Sequence, residues 1–395
     1  MNTLASIIQR RDKEAQELAD LPRVDFDNDD DDILTGKITE TMRNNNSFEQ
    51  LAGFSEGVIA SITEIVTPLA MQARTRGPLP KSSVSDMILC YLLTFRTDLD
   101  VPKLAKIFNL SEERFSKNVE RIRPLLNAAM KNRWVNLLPR PDSDLHRRFN
   151  YAGLLVDATT IQCFRPEGRF EEAKHYYDGK NHIYGLKVEV AVTTCAPHYF
   201  VRSSPHVPAS VHDYTVNKKE YLNYVDYLRK RPGESDRIHD PNPNEPNWAT
   251  VNDKAYIGPA TDTPGVRRIT PTKNPLTLAQ RQANQQVNED RTPIEQFFGR
   301  LCKKFPVYRN TYRYDHKNFD VDFQIACFLV NEDILLTALA KNDIDVYNGV
   351  LSKRQKDYDD EKEKESAARQ RYQATKRQRV DSFGQYVPGN KKDWI

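Results

Sequence analysis

Three acids in this chain stand where chemistry could use them. Asp157 follows Leu154, Leu155 and Val156 in AGLLVDATTIQ, a carboxylate ending what reads as a strand buried on both faces. Asp253 closes a second short strand in WATVNDKAY, and Glu295 opens PIEQFFGR, where Phe297, Phe298 and Leu301 supply a helix face. Ends of neighbouring strands bring two carboxylates to one place, and a glutamate from a helix crossing that edge can close the site. Oxygen ligands without histidine or cysteine suit Mg²⁺ or Mn²⁺ rather than zinc. Two such ions ~4 Å apart can activate a water or hydroxyl and stabilise the leaving oxygen of an in-line phosphoryl displacement. Glu295 also has a structural job open to it. Thr292, Pro293 and Glu295 make the pattern of a capping box with Thr292 as N-cap, which leaves Glu289 as the substitute third acid.

Other chemistries find less support. The eight histidines show no metal-ligand spacing, and none sits beside a plausible nucleophile. Five cysteines, at 90, 163, 195, 302 and 327, form no C-x-x-C pair, which argues against a zinc module or disulfide framework and fits buried thiols in a reducing compartment. The N-terminal twenty residues are charged throughout and lack the apolar core of a signal peptide. No apolar run approaches the ~18 residues of a membrane span. The expectation is an intracellular soluble protein.

The elements that must position the acids can be read in outline. The 395 residues suffice for two or three domains. Residues 1–44 read as a disordered acidic lead-in, with six aspartates in VDFDNDDDDI. Residues 45–147 read as helical. Val84, Met87, Ile88, Tyr91, Leu92 and Phe95 share one helix face, and VPKLAKIF, the turn NLS and a longer helix capped by Ser111 give the outline of a helix-turn-helix. A plain helical packing domain reads equally well, and Glu112 and Glu113 at the start of the second helix would face phosphates. GLKVEVAVTT alternates as a strand with HYFVRSS as its hairpin partner, SVHDYTVNKKEYLNYVDYLRK reads as a helix, and VRRITP as a short strand. Residues 276–305 are helical in composition, FDVDFQIACFLVNEDILLTALA is a strong apolar helix, and 346–395 read as a charged flexible tail.

Charge is distributed unevenly. The chain carries only +3 overall, yet residues 254–317 hold twelve Lys or Arg against five Asp or Glu. Arg267, Arg268, Lys273, Arg300, Lys303 and Lys304 surround the third acid in sequence and are the candidate phosphate contacts of a polynucleotide site. KRQR at 376–379 reads as a nuclear-import signal.

Strand-Asp, hairpin, helix, strand-Asp and helix-Glu follow one another in LLVDATTIQ, YYDGKNHIYGLKVEVAV, SVHDYTV, VNDKAYIGP, RRITPTKNPLT, IEQFFGRLCKKFP and YDHKNFDVDFQIACFLVNEDI. This series resembles the Harbinger-type DDE superfamily endonucleases, which are transposases. The resemblance implies an α/β fold for 148–345: a ribonuclease H-like mixed sheet flanked by helices, preceded by an all-helical domain with a helix-turn-helix-like segment. It implies Asp157, Asp253 and Glu295 as catalytic and metal-binding acids, with Mg²⁺ or Mn²⁺ as cofactor. Asp213 matches a supporting position in ASVHD, where Ala209 replaces the family's glycine, and Pro293 departs from the pattern beside the third acid. DNA as transposon ends and target, a homo-oligomer, a Myb-like DNA-binding partner and a nuclear location are implied likewise. The rival reading is a domesticated or decayed transposase that binds DNA without cutting it. A second, an RNA-directed ribonuclease H-like enzyme, lacks an identifiable hybrid-binding surface.

Overall fold

The computed structural model describes residues 37–73, 82–141, 149–167, 169–234, 240, 242 and 244–384. The expected acidic lead-in lies outside the described residues up to position 36. Its last eight residues form a helix, α1 (Lys37–Asn44), which buries Ile38 and Met42. Four longer or shorter helices follow: α2 (Glu56–Gln72), α3 (Val84–Arg96), α4 (Val101–Ile107) and α5 (Glu112–Leu137). Ser111 caps α5 as its sequence indicates, accepting from the Arg114 amide at 3.2 Å. Between α4 and α5, Asn109 takes φ +52°, a left-handed conformation that asparagine tolerates better than most residues. Helix α3 is buried all round from Asp86 to Phe95 rather than on one face, because α1, α2 and α5 enclose it.

The sheet begins with β1 (Ala152–Gln162), a longer strand than the apolar run suggested. A short helix α6 (Phe170–Lys174) leads to β2 (Tyr177–Asp178) and then to β3 (Ile183–Thr193), which pairs antiparallel with β1 from Leu154↔Thr193 to Gln162↔Gly185. The other edge of β3 is covered by β2, by β4 (Phe200–Ser203) and by β5 (Val207–Pro208), all antiparallel. Helices α7 (Asp213–Glu220) and α8 (Leu222–Leu228) then carry the chain to β6 (Ala249–Asn252). Strands β6 and β7 (Arg268–Ile269) extend the sheet beyond β1 in parallel, so the order is β3-β1-β6-β7 with an antiparallel half and a parallel half.

Two long helices cover one face of this sheet: α9 (Leu278–Lys304) and α10 (Phe319–Leu336). α8, with Tyr224 and Leu228, packs the opposite face with Leu154, Val156 and Trp248. Helix α5 packs on α10, where Arg123 pairs with Asp322 at 2.7 Å and Arg133 with Glu332 at 2.7 Å. The expected boundary near 147 therefore divides no core, since one buried cluster runs from Ile38 through Trp134 to Leu186 and Ile334. The tail expected to be flexible from 346 is instead helix α11 (Lys341–Gly384). Asp343, Tyr347, Val350 and Arg354 recur at i, i+4, i+7 and i+11 along it and turn toward α9 and β1, a stripe that the surrounding charge obscures in the sequence.

Candidate active site

The two aspartates meet through strand register. Val156 on β1 pairs with Asn252 on β6, and each strand places an aspartate immediately afterwards. Asp157 is not at a strand end, as its sequence suggested, because β1 continues on β3 to Gln162. It stands where β6 stops and the edge of β1 opens. Asp253 leaves the sheet there as N-cap of a short 3₁₀ turn, Lys254–Tyr256, its carboxylate taking the Lys254 amide. Burial lifts the Asp157 carboxyl to about 6, and the nearby Asp253 charge adds to the rise while the Arg291 guanidinium opposes it.

Glu295 reaches the same place from α9, which crosses β1 and β6. Thr292 and Pro293 lie in the middle of α9 and start no helix; the capping box sits at Thr277 and Gln280 instead. The capping explanation of Glu295 is thereby removed. Burial raises the Glu295 carboxyl above its ordinary value; Arg291 lowers it and Asp253 raises it further. Glu289 is exposed and faces Gln285, whose amide donates to it at 2.9 Å.

Arg291 is the group that sequence reasoning missed. Val287, Arg291, Ile294, Phe298 and Leu301 make one buried stripe on α9, and the arginine occupies a position where an apolar residue would ordinarily sit. Its Nη2 donates to Asp157 Oδ2 at 2.7 Å, and its charge acts on Asp253 and Glu295 as well. The signal available was its spacing, one helical turn before Glu295 on the same face. From this point an open groove of about 850 Å³ follows α9, lined by Arg281, Asn284, Gln285, Asn288, Thr292 and Glu295.

The remaining candidates separate clearly. Asp213 begins α7, pairs with Lys187 Nζ at 2.8 Å and adds its charge to the field at Asp157. Arg267 is bound by Asp240 through both Nη atoms, at 2.6 and 2.7 Å. Arg268 donates to Asn217 Oδ1 at 3.1 Å and to Thr263. Arg300 is buried between Asp333 and Asp343, and Lys304 pairs with Asp333 at 2.5 Å. All four have partners within the fold: carboxylates for Arg267, Arg300 and Lys304, neutral groups for Arg268. Lys273 and Lys303 are exposed.

The donor set has the chemistry of a hard-cation site: carboxylates only, with the Asp253 charge raising the carboxyls of both Asp157 and Glu295. Both oxygens of Asp157 are already engaged, Oδ1 by the Ala158 amide at 2.9 Å and Oδ2 by Arg291. Among the described residues no three acid, histidine or cysteine side chains converge closely enough to hold a metal ion. The positive charge at the centre of the acids is the chain's own arginine.

Residues 156–331 match the family model described as DDE superfamily endonuclease, a span that contains Asp157, Asp213, Asp253, Arg291 and Glu295. No curated protein and no solved structure matches the chain.

Proposed function

We propose that the chain is a DNA endonuclease and strand-transferase, a transposase of the Harbinger type, that cuts phosphodiester bonds with Asp157, Asp253 and Glu295 as metal ligands. The DDE superfamily endonuclease match suggests a transposase or nuclease. The observation that carries the finer reading is the Val156↔Asn252 register, which sets two aspartates side by side where the sheet opens, with Glu295 in their field. The strand order and directions support a ribonuclease H-like reading of the domain. The short helix α4, a three-residue turn and α5 support a helix-turn-helix reading of the segment before it.

In this reading Asp157 and Asp253 would hold the Mg²⁺ or Mn²⁺ ions jointly, and Glu295 would bind one of them. Such ions would supply Lewis-acid activation of the scissile phosphate and of the attacking water or 3′-hydroxyl. Asp213 takes a supporting role by keeping Lys187 in place. The amide-lined groove along α9 takes the strand that enters the site, with Lys273 and Lys303 toward the phosphates. The protein acts in the nucleus with a Myb-like partner. Lys376, Arg377 and Arg379 of the import signal lie outside the residues whose side chains are described.

Plasmid cleavage in Mg²⁺ or Mn²⁺, with EDTA as control, tests the activity. Glu295→Gln is expected to abolish cleavage while leaving the fold and DNA affinity nearly intact, and Glu289→Gln to retain it. Cleavage lost in Glu289→Gln and kept in Glu295→Gln would show the wrong glutamate was chosen. DNA binding without cleavage by the unaltered protein would favour the non-catalytic reading.

A further inference from the structure

We propose that Arg291 is the resident cation of the metal-free site, so that a divalent ion entering it must displace the guanidinium from Asp157. The inference rests on the reading of the three acids as metal ligands and adds a competitor for the first of them.

The contact is built unlike a purely structural ion pair. Arg300, one helix segment further on, uses Nε, Nη1 and Nη2 on Asp343, Asp333 and the carbonyls of Thr337 and Ala338. Arg291 offers Asp157 a single hydrogen bond from Nη2, and its Nε is buried without a hydrogen-bond partner among the described residues. A buried donor left unsatisfied carries a desolvation penalty, and here it makes the pair easier to part. Yet the guanidinium cannot simply be absent. Asp157, Asp253 and Glu295 all act on its charge, and without it Asp253 would be left repelling both Asp157 and Glu295.

Competition follows from the oxygens. Asp157 Oδ1 takes the Ala158 amide and Oδ2 takes Arg291, so a metal ion approaching Oδ2 meets the guanidinium charge already seated there. Arg291 also lines the open groove beside Thr292 and Glu295, which gives its head group somewhere to go. Nothing comparable is open to Arg300, which lies buried between α9, α10 and α11.

Mn²⁺ titration of the full chain, read by electron paramagnetic resonance and by thermal melting, tests this. Arg291→Gln is expected to bind Mn²⁺ at least tenfold more tightly than the unaltered protein. In EDTA it should melt at a lower temperature, and Mn²⁺ should restore the melting point. Arg291→Lys, which keeps a charge but not the planar fork, should fall between the two in affinity. The double change Asp157→Asn with Arg291→Gln should melt normally without metal, because the charge needing a partner is gone. Equal or weaker Mn²⁺ binding by Arg291→Gln, or a melting loss that Mn²⁺ does not recover, overturns the inference and leaves the metal-ligand reading standing. Absence of Mn²⁺ binding in every variant overturns both.

Discussion

Asp343, in the first turn of α11, receives Arg300 Nε at 3.0 Å and Nη2 at 2.7 Å, and so fastens the last helix to α9. A Cβ built on Gly299 would overlap the Asp343 carbonyl oxygen, so the helices touch backbone to backbone at this point. The basic residue read as a phosphate contact is therefore a clamp. Its guanidinium is consumed by two carboxylates, Asp343 and Asp333, both largely out of water.

Arg300→Ala should accordingly lower stability by about 3–5 kcal/mol, the cost of leaving a buried charge unpaired. Gly299→Ala should be destabilising through the backbone clash, while keeping every charge. Lys303→Ala, on the exposed side of the same helix, should change stability by less than about 0.5 kcal/mol. It should instead weaken binding of duplex DNA and reduce the salt dependence of that binding by about one unit of slope. Denaturant melts and a salt series on the three variants check the division of labour. Arg300→Ala that folds normally and loses DNA affinity would reverse it.

The start of α9 offers a second check. Thr277 caps it, accepting from the Gln280 amide at 3.2 Å while the Gln280 side chain accepts from the Thr277 amide at 3.2 Å. Thr277→Ala should cost about 1 kcal/mol. Thr292→Ala, fifteen residues into the helix by position, should be nearly neutral, because its hydroxyl only leans on the Asn288 carbonyl at 3.4 Å. Comparable losses in the two variants would mean that α9 begins where the sequence first suggested.

That misplaced cap shows what the sequence displays and what it hides. Strand alternation in GLKVEVAVTT, the Ser111 cap and the order of acids were legible because each is a local pattern in residue type. Thr292-Pro293-Glu295 is a local pattern too, but α9 runs through it: the buried stripe from Val287 to Leu301 outweighs one missing amide at Pro293. Arg291 was hidden for the same reason, a polar residue inside an apolar stripe whose partner, Asp157, lies far off in the chain. The carboxylate partners of Arg267 and Arg300 were not legible, because a carboxylate that neutralises a base is invisible until the chain is folded. The tail failed as a flexible element because its buried stripe uses an aspartate, a tyrosine and an arginine beside one valine.

The acid pair predicts a stability that depends on pH. The Asp157 carboxyl stands near 6 in the fold, above the ~3.9 of an unfolded chain. The folded state therefore holds the proton more firmly, and stability from this residue falls as pH rises from about 4 to about 6. Asp157→Asn should remove that fall and gain roughly 1–3 kcal/mol at pH 7, with cleavage lost. Urea denaturation at pH 4.5 and 7 measures it; a variant less stable than the unaltered protein at pH 7 would show that the Arg291 pair outweighs the desolvation.

Glu189 extends the same argument to the other face of the sheet. It lies on β3 with no exposed surface, accepts from the Tyr224 hydroxyl and, at 3.4 Å, from Asn217 Nδ2, and leaves Oε2 buried without a hydrogen-bond partner among the described residues. Burial pushes its carboxyl up to about 7, against hydrogen bonds from Tyr224 and Asn217 that lower it. A raised carboxyl stabilises the fold while protonated, so its contribution is full below about 4.5 and is lost as pH rises through 7. At pH 6 Asp157 is half titrated and by pH 7 nearly fully so, and between these values Glu189 contributes the larger share of the slope. Glu189→Gln keeps the acceptor for Tyr224 and supplies a permanent donor where the proton would be. It should flatten the slope from pH 6 to 7 and raise stability at pH 8 by roughly 2–3 kcal/mol. Asp157→Asn should reduce the slope chiefly below pH 6 and leave the part near pH 7 to Glu189. Melting profiles of the two single variants and the double variant from pH 4 to 8 separate the two groups, and a slope between 6 and 7 that survives in the double variant would assign it to another residue.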